Sequence, residues 1–438
     1  MPTRSNRPHR PHRLEPPQPA FEVTIAALGG LGDGIARLPD GRALWVADCA
    51  PGDVVRVVQT DPHGLGAHPK RLRGHIVELL EASPQRVAPP CPVFARCGGC
   101  AWQHVALPAQ QREKLSFVQH AVGPQVVATA SAQPIAAWRH RRRVRLHLRH
   151  HGGALAVGMM ARASHEVVPI AACEVMTPAL AALLPRLGDV ARPWLKTGEV
   201  YAVEGVEGVI LALHGLPLSF ASLPLAPELL ERLEVAGVHL ALGRHVEAAG
   251  LREVTLPETL GPQPIRVDAS GFCQATADGN AAIRHAVAAA LAEIGPVPRI
   301  QEFFSGSGNL TALCLDHTPS LRSVERDPAA VARARASLGS AKSGQLQLFS
   351  GEAEDLCEPP QPGELWLLDP GRAGALALVK QAVAAGPRHV IYVSCAMDTL
   401  RRDVTVLQGA GFTVQSAVAI DAFPHTPHVE AVVRLVRN

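Results

Sequence analysis

The chain has 438 residues, which is enough for two to four domains of roughly 100–200 residues each. Hydrophobic residues make up 47% of it and charged residues 18%, a balance that supports sizeable buried cores and excludes a wholly disordered protein. With 42 basic against 39 acidic residues the net charge is only +3, so any surface for nucleic acid must be a local basic patch.

The first residues form a segment rich in arginine, histidine and proline, without the apolar stretch of a secretory signal. Proline disfavours regular structure there, so we expect a disordered basic tail over 1–19. The best candidate for a membrane span, 209–227, is interrupted by three prolines. We therefore expect a cytoplasmic monomer without a membrane partner. In that compartment the nine cysteines favour metal binding or catalysis over disulfides.

Residues 20–80 have the pattern of a small β barrel. Apolar and polar residues alternate over 21–25 and again over 53–58, and glycines between these segments favour tight turns. Several short strands joined by glycine turns predict an OB-like barrel of about five strands. Barrels of this kind often bind nucleic acid, although a generic β barrel fits the same pattern.

A group of three cysteines follows, with the spacing C-x5-C-x2-C at Cys91, Cys97 and Cys100. The glycines in its tight turn let the chain wrap a compact centre. A tetrahedral metal or an iron–sulfur cluster needs a fourth thiolate, and Cys173 is one of the remaining candidates. The spacing alone does not separate zinc from a [4Fe-4S] cluster, whereas three close thiols without a metal would be prone to oxidation.

The stretch 139–150 carries six arginines and no acidic residue. Its basic residues alternate with Val144, Leu146 and Leu148, so a strand here would present a basic face and an apolar face. A solvated charged strand usually mixes both signs, and we therefore favour a phosphate-binding surface. The candidates for this contact are Arg141, Arg143, Arg145 and Arg149.

From about residue 276 helices and strands alternate, beginning with a helix predicted over 277–294. This alternation predicts a parallel sheet with crossover helices, a Rossmann-like α/β arrangement. The glycine loop 306–308 follows a strand and opens a helix, and Glu325 ends the next strand, where a carboxylate can accept from ribose hydroxyls. The third glycine of the dinucleotide fingerprint is absent, which suits S-adenosylmethionine better than NAD. A plain structural turn is the alternative.

Cys395 stands at the carboxyl end of the apolar strand 390–394, at the edge where α/β sheets bind ligands. A helix begins shortly after it, and we expect the helix N-terminus to lower the thiol pKa. A lone cysteine in this position would more often be buried and inert, but the sequence 369–372 brings an aspartate and an arginine to the same edge. The loop 421–430 is dense in titratable groups and predicts a base there, with a solvated loop as the alternative.

Taken together and in this order, these features resemble the RNA 5-methyluridine (uracil-C5) methyltransferase family, which uses S-adenosylmethionine, from about residue 20 to the end. The resemblance implies a multidomain α+β protein. It has a TRAM barrel over 20–80, a central iron–sulfur and RNA-binding α+β domain over 81–270, and a Rossmann-like methyltransferase domain over 271–438. The implied ligands of one [4Fe-4S] cluster are Cys91, Cys97, Cys100 and Cys173. The residues implied at the methyl donor are Gln274, Phe304, Gly306, Asn309, Glu325 and Asp369.

The same resemblance implies a covalent mechanism. The residues around Cys395 resemble the family's nucleophile motif, and His428-Val429-Glu430 resembles its base motif. Cys395 would then attack C6 of a uridine, and Glu430 would remove the proton from C5. Two departures stand out: Ala396-Met397 replaces the Asn-Pro that usually follows the nucleophile, and Thr276 replaces an asparagine that commonly follows the glutamine motif.

The barrel, the cysteines and residues 372–374 favour the ribosomal RNA branch of the family, so we expect 23S rRNA as the partner and tRNA as the alternative substrate. A 5-methylcytidine methyltransferase would use similar covalent chemistry but usually orders its cysteines differently. A non-catalytic iron–sulfur RNA-binding protein is a further alternative, against which the presence of both Cys395 and Glu430 argues. A radical S-adenosylmethionine enzyme would need C-x3-C-x2-C and an open iron site, which four ligands would close.

Overall fold

The computed structural model describes residues 19–60, 72–151, 154–220, 223–258, 264–339 and 344–437. The tail predicted over 1–19 lies, up to residue 18, outside the described residues. The described residues divide into two compact units: one contains those from 19 to 86 except 30–32, and the other contains 30–32 and those from 87 to 437. In the ranges described, no helix is both long and apolar enough to cross a membrane.

The first unit contains a closed barrel of five strands, as the alternation in this part of the sequence predicts. The strands are β1 (Phe21–Leu28), β2 (Gly34–Arg37), β3 (Ala43–Val46), β4 (Val54–Thr60) and β5 (Leu72–Glu81). They are hydrogen-bonded in the order β1-β2-β3-β5-β4. Every second side chain of β1 and β4 faces the barrel interior, where Val23, Ile25, Val55 and Val57 are buried.

The second unit begins with helix α1 (Leu107–Val122) and the short strand β6 (Thr129–Ala130), and continues with a seven-stranded sheet. The elements of this part are β7 (Arg143–His151), β8 (Ala154–Met160), β9 (Val167–Pro169), α2 (Pro178–Ala191), β10 (Leu195–Gly205), β11 (Gly208–Pro217), α3 (Ala226–Leu233), β12 (Gly237–Leu242) and β13 (His245–Gly250). The sheet order is β13-β12-β11-β10-β7-β8-β9. The apolar faces of α2 and α3 pack on the sheet around Leu146, Leu148 and Leu211.

A two-stranded sheet of β14 (Glu253–Thr255) and β15 (Arg266–Asp268) leads into the remaining elements. These are α4 (Ala277–Ile294), β16 (Ile300–Phe303), α5 (Thr311–Cys314), β17 (Leu321–Glu325), α6 (Pro328–Leu338), β18 (Leu346–Ser350), α7 (Ala353–Leu356), β19 (Leu365–Leu368), α8 (Leu376–Ala385), β20 (His389–Ser394), α9 (Met397–Gly409), β21 (Phe412–Ile420) and β22 (Glu430–Arg437). The helix predicted over 277–294 is α4.

The last sheet has eight strands in the order β18-β17-β16-β19-β20-β22-β21-β6. Strands β16 to β20 are parallel, and β22 runs antiparallel to β20. The loops that follow β16, β17, β19 and β20 therefore meet at one edge of the sheet, and β22 begins at that edge. This geometry brings together motifs that are far apart in the sequence.

Helix α1 and strand β6 also pack on this sheet. Strand β6 pairs in parallel with β21, and Val118, Ala121 and Val122 of α1 join the apolar core on that side. Two polar side chains of α1, Gln110 and Lys114, are buried as well. The sequence places both elements in a central domain over 81–270, and the bounds of that domain stay a prediction.

Candidate active site

The glycine loop follows β16 at the carboxyl edge of the eight-stranded sheet. Phe304 has a φ of 64°, a left-handed conformation that non-glycine residues seldom adopt and that often marks a functional site. A Cβ at Gly306 (φ 56°) would meet no atom within 4 Å, whereas one at Gly308 (φ 92°) would lie 2.7 Å from Leu338 Cδ1. Gly308 therefore packs against the protein, and Gly306 leaves space for a ligand to approach the backbone.

Glu325, the last residue of β17, lies against this loop. Its Oε2 accepts a hydrogen bond from the Gly306 amide at 3.0 Å, and its Oε1 accepts one from the Asp327 amide at 2.8 Å. A carboxylate has about four lone-pair positions, so two remain for a ligand hydroxyl. In the strand beside it, Glu302 accepts from Ser323 Oγ at 2.6 Å, and burial together with neighbouring carboxyl groups raises the pKa of Glu302 to about 7.

Gln274 and Asn309, predicted at the methyl donor, are joined through buried polar side chains. The Gln274 carbonyl oxygen accepts hydrogen bonds from Arg142 Nε and Nη2, each at 3.2 Å. The side-chain amide of Asn309 forms reciprocal hydrogen bonds with that of Asn280, at 2.7 and 3.1 Å. Sequence reasoning missed Asn280. It also treated Arg142 as one of a basic run, because a run of arginines does not show which side chain is buried.

Cys395 and Glu430 are neighbours at the carboxyl edge. Ser394 of β20 pairs with Ala431 of β22, so the antiparallel register brings Cys395, one residue further on, next to Glu430. Burial raises the pKa of the Cys395 thiol to about 11, with the carboxyl groups of Glu430 and Asp369 adding to the effect. The pKa of this thiol is therefore raised and not lowered as the sequence predicts, because burial and two nearby carboxyl groups outweigh any effect of the N-terminus of α9.

The carboxyl groups near Cys395 are also perturbed. Burial, together with the charge of Asp369, raises the pKa of Glu430 to about 8, and burial together with Glu325 raises the pKa of Asp369 to about 7. The Arg372 guanidinium acts in the opposite direction and lowers the pKa of both Glu430 and Cys395. Groups that titrate close to neutral pH beside a nucleophile are suited to proton transfer.

The loop that carries Arg372 is fixed by the buried Asp403 of α9. Asp403 Oδ2 accepts hydrogen bonds from the Ala375 amide at 2.8 Å and from the Tyr392 hydroxyl at 2.7 Å. Its Oδ1 accepts from Arg402 Nε at 2.7 Å. This role of Asp403 leaves no local signal in the sequence, because the loop that it contacts lies 28 residues earlier.

The loop between β21 and β22, which leads to the predicted base, is tied to α1. The buried Lys114 forms an ion pair with Asp421 and donates to the Phe423 carbonyl at 2.9 Å. Gln110 Oε1 accepts from the His425 amide at 2.8 Å. Sequence reasoning missed both α1 residues, because no local pattern reveals contacts across 307 and 315 residues.

The four cysteines predicted as cluster ligands line one cavity. They are Cys91, Cys97, Cys100 and Cys173. The rest of the lining includes the apolar Phe94, Met159 and Ile170, together with Arg141. The Gly99 amide donates to Cys97 Sγ at 3.4 Å. No three His, Cys, Asp or Glu side chains in the described part of the chain are arranged to hold a metal ion. Four thiols thus line the cavity, but their sulfur atoms are not arranged around a single ion.

Strand β7 has the two faces that the sequence predicts. Its apolar residues are buried, and the alternate arginines point away from the core. Arg145 is engaged by the neighbouring strand, since its Nη2 lies 2.7 Å from Glu199 Oε1 and its guanidinium lies 5.4 Å from the Tyr201 ring centre. Arg143 and Arg149 share that outward face. Arg141 lies before the strand and lines the cysteine cavity instead.

Known proteins resemble this chain along nearly its whole length. A family model described as tRNA (uracil-5-)-methyltransferase matches residues 363–438. The 23S rRNA (uracil(1939)-C(5))-methyltransferase RlmD of Dichelobacter nodosus is 32% identical over 434 residues, which covers 95% of this chain and 98% of that protein. The protein of the same name from Pectobacterium carotovorum subsp. carotovorum is 32% identical over 441 residues, covering 95% of this chain and 93% of that protein.

A solved structure shares the fold. The crystal structure of the Pyrococcus abyssi tRNA (uracil-54, C5)-methyltransferase in complex with S-adenosyl-L-homocysteine matches with a TM-score of 0.71, covering 95% of this chain and 100% of that chain at 21% identity. At that identity the likeness concerns the fold alone. The relatives that match over nearly their full length decide the family. The chain therefore belongs to the RNA (uracil-C5) methyltransferase family.

Proposed function

We propose that the protein transfers a methyl group from S-adenosylmethionine to C5 of a uridine in 23S rRNA. The observation that carries the proposal is the meeting of Cys395, Glu430 and Asp369 at the sheet edge that also bears the open glycine loop. The relatives that match over nearly their full length are named as methyltransferases of a uracil in 23S rRNA, and we take the RNA and the base from these names. A tRNA substrate, as in the names of the family model and the Pyrococcus enzyme, is the second candidate.

The methyl donor fits the edge formed by the glycine loop. S-adenosylmethionine, when bound, supplies the methyl group as an electrophilic carbon on its sulfonium. The space at Gly306 allows a ligand to approach the backbone, and the unused lone pairs of Glu325 can accept from ribose hydroxyls. We assign the remaining donor contacts to the residues that the family resemblance indicates, which are Gln274, Phe304, Asn309 and Asp369.

Cys395 is the nucleophile in this proposal. Its thiolate adds to C6 of the uracil, which breaks the C5–C6 double bond and moves an electron pair into an enolate, so that C5 becomes nucleophilic. C5 then forms a bond to the methyl carbon, whose bond to sulfur breaks and leaves S-adenosylhomocysteine, so that C5 bears both the methyl group and its original hydrogen. Removal of that proton returns an electron pair to the C5–C6 bond and expels the Cys395 thiolate.

Thiolate formation at Cys395 requires positive charge nearby, because burial and two carboxyl groups hold the thiol pKa at about 11. Arg372 lowers this pKa, and the positive charge of the donor acts in the same direction. Glu430 is the general base, and its pKa of about 8 makes it a stronger base than an ordinary carboxylate. The charge of Asp369 acts on both Cys395 and Glu430, so this carboxyl is near enough to hold the uracil or the methyl donor.

We further propose that the four-cysteine cavity holds a [4Fe-4S] cluster with a structural or RNA-positioning role. Zinc needs its sulfurs at about 2.3 Å from one ion, whereas the ligands of a [4Fe-4S] cluster bind separate irons around a larger centre. The cavity offers four thiols, the number that such a cluster requires, and they are the ones that the family resemblance indicates. The Gly99 amide bonded to Cys97 Sγ fits the second shell of such a centre.

RNA binding is proposed for the barrel, as a TRAM-like domain, and for strand β7. The target uridine must leave its stack to lie between Cys395 and the donor, which costs free energy. Phosphate contacts from Arg143, Arg145 and Arg149 can offset that cost. Arg141, which lines the cysteine cavity, would contact RNA only where the RNA approaches the cluster.

Methyl transfer from radiolabelled S-adenosylmethionine to 23S rRNA and tRNA transcripts tests the proposed substrate, and we expect label only in 23S rRNA. RNA with 5-fluorouridine at the target should trap a methylated adduct, because fluorine does not leave C5 as a proton does. Cys395→Ala should abolish the adduct, whereas Cys357→Ala, a change at another half-buried cysteine, should leave it intact. An adduct that survives in Cys395→Ala would move the role to another residue.

A further inference from the structure

A buried polar relay runs between two residues of the proposed methyl-donor site. It begins at Arg142, which directly precedes β7 and is 3% exposed. The Arg142 amide donates to the Ala275 carbonyl at 2.9 Å, and its guanidinium donates twice to the Gln274 carbonyl. Three hydrogen bonds from one residue therefore fix the backbone at Gln274 and Ala275. An arginine used in this way is not available to RNA phosphates.

Glu258 connects this arginine to the next member of the relay. Its Oε2 forms an ion pair with Arg142 Nη1, and its Oε1 accepts a hydrogen bond from Asn280 Nδ2 at 2.8 Å. The side chains of Arg142 and Glu258 are 4% and 7% exposed, so the pair is shielded from water. A carboxylate only accepts hydrogen bonds, so the Asn280 amide must turn its NH2 group towards Glu258.

The orientation of Asn280 then determines that of Asn309. With its NH2 facing Glu258, Asn280 donates to Asn309 Oδ1 at 3.1 Å and accepts from Asn309 Nδ2 at 2.7 Å. Arg284 Nη1 adds a hydrogen bond to Asn309 Oδ1 at 3.3 Å and one to its carbonyl oxygen. Asn309 belongs to the glycine-loop segment, so Glu258 and Arg284 together set which way an amide of that segment points.

We propose that Glu258 and Asn280 are positioning residues for the methyl-donor site, through which Arg142 at the Gln274 backbone and the amide of Asn309 are held in one fixed arrangement. This inference rests on the proposed function, because it takes the glycine-loop edge to be the donor site. A buried polar network that serves only folding would affect stability without affecting donor affinity. A measurement of donor affinity distinguishes a positioning role from a role in folding alone, and it requires neither RNA nor turnover.

Glu258→Gln is the first variant to test, because it keeps the shape of the side chain and removes its charge. The NH2 group of the new glutamine must face either Arg142 or Asn280. The first choice sets a donor against a donor, and the second turns the Asn280 amide against the arrangement that Arg284 holds at Asn309. We expect the affinity for S-adenosylhomocysteine, measured by titration calorimetry, to fall about ten- to a hundredfold. The thermal midpoint of the free variant reports folding separately.

Asn280→Ala is the second variant, and it interrupts the relay while leaving the Arg142–Glu258 pair intact. It tests the same claim if Glu258→Gln does not fold, and we expect a similar loss of affinity. The matched control is Glu199→Gln, which removes a carboxylate from the exposed pair with Arg145. The control should bind S-adenosylhomocysteine as the wild type does.

Wild-type affinity in folded Glu258→Gln or Asn280→Ala would overturn the inference and leave the proposed function standing. Failure of the wild-type protein itself to bind S-adenosylhomocysteine would instead contradict the proposed function. Steady-state kinetics provide a second readout. Glu258→Gln and Asn280→Ala should raise the KM for S-adenosylmethionine more than they change the KM for RNA. Equal changes in the two constants would also count against a positioning role at the donor.

Discussion

Glu430 is buried at the register position opposite Cys395, and its carboxyl has a pKa of about 8. Glu430→Gln keeps the shape of the side chain but cannot take a proton. We expect this variant to bind RNA and transfer the methyl group, and then to stall before the thiolate leaves. Ordinary uridine-containing RNA should therefore accumulate as a protein adduct that survives denaturing gel electrophoresis.

The adduct in Glu430→Gln should depend on the nucleophile, so adding Cys395→Ala should abolish it. Normal turnover in Glu430→Gln would show that another group removes the C5 proton. Failure before any methyl is transferred would also remove Glu430 from this role. In either case His428, two residues earlier on the same loop, is the next candidate for the base.

The raised pKa of Glu430 also predicts a pH-dependent stability difference. Burial raises this pKa from 4.5 to about 8, so between these values the folded protein holds a proton that the unfolded chain has released. The wild type therefore loses the contribution of this group to stability as the pH rises through the window, and Glu430→Gln has no such contribution to lose. We expect the free energy of unfolding of the variant to rise relative to the wild type over the window, by up to about 1.4 kcal/mol per pKa unit.

Urea unfolding of both proteins at several pH values measures this difference. Glu199→Gln provides a control of opposite sign, because the hydrogen bond from Arg145 lowers the pKa of Glu199 and makes its ionised form stabilising. That control should lose stability above about pH 4.5, by less than about 1 kcal/mol because the pair is exposed. A stability difference for Glu430→Gln that does not change with pH would contradict the buried, proton-holding carboxyl.

Strand β7 is the element that carries the RNA prediction. Arg143→Ala combined with Arg149→Ala should weaken RNA binding on every sequence tested. The slope of log affinity against log salt concentration should become shallower by about 1 for each lost phosphate contact. Arg145→Ala should have a smaller effect, because Glu199 already neutralises that guanidinium.

Filter binding over a range of salt concentrations measures both quantities. Arg232→Ala, a change to an exposed arginine near the end of α3, is the control and should change neither. Unchanged affinity and slope in the double variant would show that the basic face of β7 does not contact RNA.

Local patterns in the sequence predict many elements of this fold. The strand–glycine–helix order predicts the loop after β16, and α4 has the predicted bounds of 277–294. The apolar run ending at Ser394 predicts that Cys395 lies at the sheet edge. A buried parallel strand can be identified from such a run alone, without knowing which strands pair with it. The five-stranded barrel follows from alternation in the same way.

Contacts between distant parts of the chain were not predictable in this manner. The parallel pairing of β6 with β21 and the buried Lys114 in α1 depend on partners about 300 residues away, and a single sequence carries no signal for them. Arg142 shows the same limit within a short stretch of sequence. The arginines on either side of it have the same chemistry, but Arg142 alone among them is buried. The thiol pKa of Cys395 depends on two carboxyl groups that only the folded sheet brings close.

The cysteine cavity predicts the metal content of the protein. Protein purified without oxygen should be brown and contain about four irons per chain. Cys173→Ser should lose most of this iron, whereas Cys357→Ser, which lies outside the cavity, should retain it. Iron and zinc analysis of the three proteins measures this, and one zinc per chain without iron would contradict the proposed cluster.

Mapping of 5-methyluridine in ribosomal and transfer RNA from cells that lack the protein tests the proposed substrate in the cell. We predict that a single 5-methyluridine is lost from 23S rRNA and that tRNA is unchanged. Expression of the wild-type protein should restore the modification, and Cys395→Ala should not. If 23S rRNA from these cells keeps all of its 5-methyluridine, or if the loss occurs in tRNA, the proposed substrate is wrong.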